Sequence, residues 1–214
     1  MTIASNISQT DLMVITRHQL ESFFPISDEE SLLITQCMDR VLERVEYCFI
    51  RTPNKYYSRN GETYFNPFHS GQYCIYLYFL SRTIWQNGDS ILADKIYYLN
   101  KIMNGCDMFY EVELPNFFML DHPVGTVIGR GQFGEGFTFG QNCTIGNNHG
   151  IYPIIGKNVE LCANASVLGN CHIGDNVTIG AYACVKDQDV PADSIVFGQS
   201  PNLIIKPKNL ITEN

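Results

Sequence analysis

A chain of 214 residues with 45% hydrophobic and 17% charged side chains has the composition of a folded protein, long enough for one large domain or two small ones. Its formal net charge of −8 excludes a general nucleic-acid binder, which needs a surplus of Lys and Arg to meet phosphates. No apolar run approaches the ~20 residues of a membrane span, and the opening "MTIASNISQT" has no apolar signal core.

The eight cysteines include no Cys-x-x-Cys pair. They are read as reduced, mostly buried thiols, which makes the cytoplasm the expected compartment.

From Asp11 to about Asn104 the text is helical. "SDEESLLITQCMDRVLERVEYCFI" opens with Ser27 and carries Glu30 three residues later, a capping box. Leu32, Leu33, Cys37, Val41, Leu42, Val45, Cys48 and Phe49 recur at spacings of three and four and are expected to form its apolar face. The next stretch, "RTPNKYYSRNGETYFNPFHSG", is rich in turn residues. "GQYCIYLYFLSRTIWQNG" and "DSILADKIYYLNKIMNG" read as two further helices, each stopped by Asn-Gly.

After Gly105 the period changes to six. Ile155, Leu161, Val167, Ile173, Ile179 and Val185 form one six-residue grid, with Pro153, Val159, Ala165, Cys171, Val177 and Ala183 two positions earlier. A second grid takes Val127, Phe133, Phe139 and Ile145. Neither a helix nor an isolated strand has this period, whereas a stacked solenoid does. The two grids are out of phase: Ile145 and Ile155 are ten residues apart, so "GNNHGIYP" must leave the wall as an excursion, a common carrier of function. The expected class is α+β: a helical domain over 1–105, a β-helix over 106–198 with a loop at 146–153, and a C-terminal extension over 199–214.

"LDHPVGTVIG", "CTIGNN", "ASVLGNCHIGDNVTIGAYACV" and "VPADSIVFGQSPNLIIK", with "FHSGQ" and "SRTIWQNGDSILADKI" upstream, together resemble the hexapeptide-repeat acyltransferases, and more narrowly their serine acetyltransferase branch. The resemblance implies a left-handed parallel β-helix of three hexapeptides per coil, acetyl-CoA as cosubstrate, and a homotrimer, possibly doubled to a hexamer. It implies His122 as the base, Asp107 as the carboxylate that orients it, and Asp121 as a contact to the acceptor's amino group. For coenzyme A it implies Asn147, Asn148, Ala163, Gly180, Ala181, Ser200 and Pro201; Lys206 and Lys208, an isolated basic pair in an acidic chain, are the candidate phosphate contacts. The pattern is broken in one place. Where that branch carries an Arg-His-Pro triplet for the serine carboxylate, this chain has Ile151-Tyr152-Pro153, and His149 is the only candidate cation in the loop.

A neutral imidazole suits removal of a hydroxyl proton, and a carboxylate at its other nitrogen fixes the tautomer. Glu111, Glu113 and Asp121 are rival partners to Asp107. His149, Tyr152 and His69 are candidate acceptor contacts. The expected reaction is direct acetyl transfer from acetyl-CoA to a hydroxyl of a serine-like amino acid, with a sugar or glycan hydroxyl as the alternative. An acyl-cysteine intermediate is disfavoured because no histidine neighbours Cys143 or Cys171 in the pattern. The five histidines show no three-ligand spacing, so no metal is expected. A non-catalytic β-helix is the competing class; it predicts no thermal shift with acetyl-CoA.

Overall fold

The computed structural model describes residues 3–208. Four helices build the first part of the chain: α1 (Gln9–Glu21), α2 (Asp28–Phe49), α3 (Ser70–Gln86) and α4 (Ser90–Asn104). Capping boxes open the first two, Ser8 with Asp11 and Ser27 with Glu30, each satisfying two otherwise orphaned backbone N–H groups. Gly105 closes α4 at φ 59°, the left-handed stop expected from Asn-Gly.

The buried face of α2 is Ile34, Cys37, Met38, Val41, Leu42, Val45, Cys48 and Phe49. Leu32 is 56% exposed, which corrects the sequence reading. Ile34 and Met38 continue the three–four spacing, and two residues before Ile34 the helix has turned Leu32 to the opposite side. The central helix is α3, buried on every side from Gly71 to Ile84. Its tyrosines reach polar partners, as buried phenols must: Tyr76 Oη lies 3.0 Å from Thr16 Oγ1, and Tyr73 Oη donates to Gln19 Oε1. The turn-rich stretch holds a small hairpin, Ser58–Arg59 against Glu62–Phe65, with Asn60 and Gly61 both at positive φ in its turn. Ala4–Ser5 adds to it in parallel.

The chain divides into two units, Met1–Glu111 and Val112–Asn214, so the boundary lies past the change of period at Gly105. The second unit is a parallel solenoid with three faces. One face carries the strands at 132–133, 154–155 and 172–173. A second carries 118–120, 137–139, 160–161, 178–179 and 194–197. The third carries 127–128, 144–146, 166–168 and 184–186. Ile155 pairs with Ile173, Leu161 with Ile179 and Val167 with Val185, so one coil is 173 − 155 = 18 residues, three hexapeptides. Phe133 pairs with Ile155, 22 residues on, because the coil between them carries the four-residue excursion.

The grid residues from Phe139 onward point inward and are buried, as are the residues two places before Ile155, Leu161, Val167, Ile173, Ile179 and Val185. Three phenylalanines fill the first coils, with the Phe118 and Phe139 rings stacked at 6.4 Å. The first grid fails at its start. Val127 is 42% exposed, and Ile128 is the buried residue that pairs with Ile145. Eight residues separate Leu120 from Ile128, against six from Phe139 to Ile145 beneath them. The corner that contains Asp121 and His122 is therefore two residues longer than those below. Of the expected C-terminal extension, Ile204–Pro207 is an antiparallel strand on Ser194–Phe197, which ties it to the solenoid wall. All eight cysteines are free; Cys162 and Cys184 are half-buried and the rest buried.

Candidate active site

The enlarged corner is a series of tight turns that push Asp121 and His122 off the wall. His122 has φ 48°, its carbonyl accepts from Val124 N at 2.8 Å, and Pro123 O accepts from Thr126 N at 3.1 Å. Thr126, buried, fastens this turn to the coil below: its hydroxyl donates to Gly140 O at 2.6 Å and accepts from Cys143 N at 3.0 Å. Asp121 N donates to Phe139 O at 3.0 Å. Asp121 Oδ1 lies 3.5 Å from His122 Nε2, and the two side chains are 83% and 88% exposed. The rest of the chain thus leaves the imidazole open for a ligand.

Beneath this turn the same corner recurs at Gly140–Gln141–Asn142, Cys162–Ala163–Asn164 and Gly180–Ala181–Tyr182. Two N–H groups of each triplet serve the rungs: Gly140, Cys162 and Gly180 donate to Leu161, Ile179 and Val196, and Asn142, Asn164 and Tyr182 donate to Val124, Gln141 and Ala163. The middle N–H, that of Ala163 or Ala181, donates to no protein acceptor among the described residues. These two expected cofactor residues therefore keep amide donors without a protein acceptor on the His122 edge, one rung apart, or ~4.8 Å.

The other expected residues gather on a second edge, at the far side of the face formed by 144–146, 166–168 and 184–186. Here the excursion is a two-residue hairpin. Asn148 and Ile151 exchange N–H···O bonds of 3.0 Å each, and His149 and Gly150 occupy the turn at φ 50° and 81°, the signs of a type I′ turn. Asp187 anchors it from the next coil. Its Oδ2 accepts from Asn148 Nδ2 at 2.5 Å and its Oδ1 from Asn170 N at 2.9 Å. The Asn170 amide, the Asn148 side chain, Lys186 and His149 hold the Asp187 carboxyl below the usual carboxylate range. Next to it, Lys186, Asp187, Gln188, Ser200 and Pro201 line an open pocket of about 360 Å³, and Ser200 Oγ accepts from Lys186 N at 3.0 Å. Asn147, His149, Ile151 and Tyr152 are exposed at the hairpin. Lys206 is exposed on the last strand, while Lys208 Nζ reaches Thr178 Oγ1 at 2.9 Å.

Asp107 and His69 belong to the helical unit. Asp107 accepts from Tyr97 Oη at 2.7 Å and pairs with Lys101 Nζ at 2.5 Å. Burial, then Asp107 itself, raises the Tyr97 phenol to about 12. His69 is the N-cap of α3, its Nδ1 accepting from Gln72 N at 3.3 Å, with its ring against Tyr56 and Tyr57. Asp187 is not among the residues expected from the sequence. The spacing 187 − 169 = 18 places Asp187 one coil from Gly169, at the foot of the excursion, and could have flagged it. No group of three or more His, Cys, Asp or Glu side chains among the described residues could hold a metal ion.

Residues 152–187 match the bacterial transferase hexapeptide (six repeats) family. The chain is 29% identical over 133 residues to a putative serine acetyltransferase of Schizosaccharomyces pombe, covering 60% of this chain and 49% of that protein. It is 29% identical over 154 residues to the serine acetyltransferase of Staphylococcus aureus, covering 64% of this chain and 66% of that one. The crystal structure of Neisseria gonorrhoeae serine acetyltransferase superposes with a TM-score of 0.72 at 26% identity, over 94% of this chain and 80% of that one. The chain is similar to the hexapeptide-repeat serine acetyltransferases. Its solenoid is accordingly the left-handed β-helix of those structures, preceded by the same kind of helical domain. The chain spans between about half and two thirds of the length of the curated relatives it matches. The gonococcal protein has also been solved in complex with serine.

Proposed function

We propose that the protein is an acetyl-CoA-dependent O-acetyltransferase acting on a hydroxyl of a small, serine-like acceptor. The observation that carries the reading is the His122 edge: an exposed imidazole beside Asp121 on an enlarged corner, with the free amides of Ala163 and Ala181 in line below. The relatives named serine acetyltransferase, one of them solved with serine, support the same reading.

His122 removes the proton of the acceptor hydroxyl as that oxygen attacks the thioester carbonyl, and returns the proton to the departing coenzyme A sulfur. The Ala163 and Ala181 amides hold carbonyl oxygens of the pantetheine arm. Asp121 meets the acceptor's amino group. Asp107 is the carboxylate the resemblance offers for fixing the imidazole tautomer, and Asp121 is the one seen beside it. The hairpin with Asn147, Asn148 and His149, and the pocket at Ser200 and Pro201, stand on a different edge of the prism. A complete site therefore calls for a neighbouring copy, in keeping with a trimer, and that neighbour would supply the cover an exposed base needs.

One observation favours a second acceptor class. The hairpin presents Ile151 and Tyr152, 50% and 40% exposed, and no Lys or Arg between Asn147 and Pro153. A free carboxylate is best gripped by a bidentate guanidinium, whereas an aromatic ring beside asparagines suits a sugar. Coenzyme A release, followed by thiol detection with L-serine and with a panel of sugars and sugar nucleotides, separates the two. Turnover with L-serine supports the first reading, and turnover confined to saccharides supports the second. No thiol release with any hydroxyl acceptor and no thermal shift with acetyl-CoA would refute both.

A further inference from the structure

Resting on that reading, we propose that Tyr182 is a binding residue of the coenzyme A groove, its ring packing on the pantoyl end of the pantetheine arm. Tyr182 has φ 61° and is 73% exposed. A bulky aromatic in the left-handed region is a conformational outlier, since its Cβ crowds the backbone there. The same corner position one and two coils above is taken by Asn164 and Asn142, at φ 63° and 54°. Asparagine tolerates that conformation because its short side chain can bond locally. At this one rung the chain therefore keeps a strained residue that leaves most of its surface in solvent. The folded chain offers no return for either cost, and a bound partner would.

Position decides which partner. Asn142 N donates to Val124 O, Asn164 N to Gln141 O and Tyr182 N to Ala163 O, so Tyr182 stands three rungs below the His122 turn, or ~14 Å at strand spacing. From its sulfur to its far hydroxyl oxygen, extended pantetheine has a dozen bonds, which span on the order of 15 Å at standard bond lengths. With the thioester at His122 and the arm running past the amides of Ala163 and Ala181, the gem-dimethyl group of the pantoyl unit comes level with the Tyr182 ring. An apolar branched group against an aromatic face is a favourable pairing, and glycine or asparagine at that rung would leave it in water.

The test uses the full-length protein with Tyr182→Asn and Tyr182→Phe. Calorimetry reads binding of coenzyme A and of 4′-phosphopantetheine, which lacks the nucleoside; a melting curve and light scattering are recorded alongside. The expected result is that Y182N weakens both ligands by the same factor, roughly three- to tenfold. Its melting temperature should rise by about 2–4 °C as strain is relieved, with the oligomeric state unchanged, and Y182F should bind like the parent. Wild-type affinity in Y182N overturns the proposal. So does loss of the oligomer in Y182N, which would make the ring a subunit contact, or weakening of coenzyme A alone, which would place it against the nucleoside. Failure of the parent protein to bind coenzyme A at all refutes the transferase reading itself, and is distinguished by that control.

Discussion

Ile128→Ala and Val127→Ala test the register that places the candidate base. The two residues adjoin, and a strict six-residue count selects Val127 for the interior. The structure selects Ile128, which is 1% exposed and paired with Ile145, whereas Val127 is 42% exposed. Truncating a buried Ile leaves a cavity in a close-packed wall and costs about 3 kcal/mol, within the usual range for such changes. In a chain of this size that lowers Tm by roughly 6–12 °C. Val127→Ala removes surface atoms and should stay within about 0.5 kcal/mol, or roughly 2 °C. Differential scanning calorimetry of both variants at one protein concentration reads the difference. Equal losses, or a larger loss at Val127, would refute the eight-residue span from Leu120 to Ile128. With it would go the enlargement of the Asp121–His122 corner.

Three further outcomes follow from particular contacts. Asp187→Ala removes the anchor of the 148–151 hairpin, so kcat/KM should fall roughly tenfold through misplacement of the loop, with Tm almost unchanged; steady-state kinetics and a melting curve check this together. On the proposed assignment Asp107→Asn lowers kcat about a hundredfold or more, while Asp121→Asn chiefly raises the acceptor KM; full kinetics of both variants tell them apart, and a parental kcat in Asp107→Asn would exclude that carboxylate. Burial raises the Tyr73 and Tyr97 phenols from 10.0 to about 12. A raised folded-state pKa gives stability that is whole below the unfolded value and lost as pH rises through the folded one. Urea midpoints should therefore hold to about pH 10 and fall between about 10 and 12, with a shallower fall in Tyr97→Phe.

The solenoid was legible in the sequence because every rung imposes the same steric demand, an inward apolar residue each sixth place, and no other architecture repeats at that interval. The excursion was legible for the same reason, as a ten-residue gap between Ile145 and Ile155. What escaped was the slip at Val127. Two adjacent apolar residues fit either register, and only the pairing of Ile128 with Ile145 decides between them. In the helical unit the Asn60-Gly61 turn was visible, yet its flanking strands are too short to carry a period. Asp107 sits where Tyr97 and Lys101, one helical turn apart on α4, both reach it, and a count back from His122 could not disclose that. His69 was read as a loop residue because an N-cap is ordinarily Ser, Thr, Asp or Asn. Tyr182 gave no sign, since its interest lies in a backbone angle that the letters do not encode.

The central claim is that His122 is the base for acetyl transfer from acetyl-CoA. The most direct measurement is the rate of coenzyme A release by His122→Ala, with the acceptor that the parent protein uses, alongside coenzyme A affinity. The account predicts a fall in kcat of roughly 10²–10⁴ with coenzyme A affinity and Tm retained. Parental turnover in His122→Ala would contradict it.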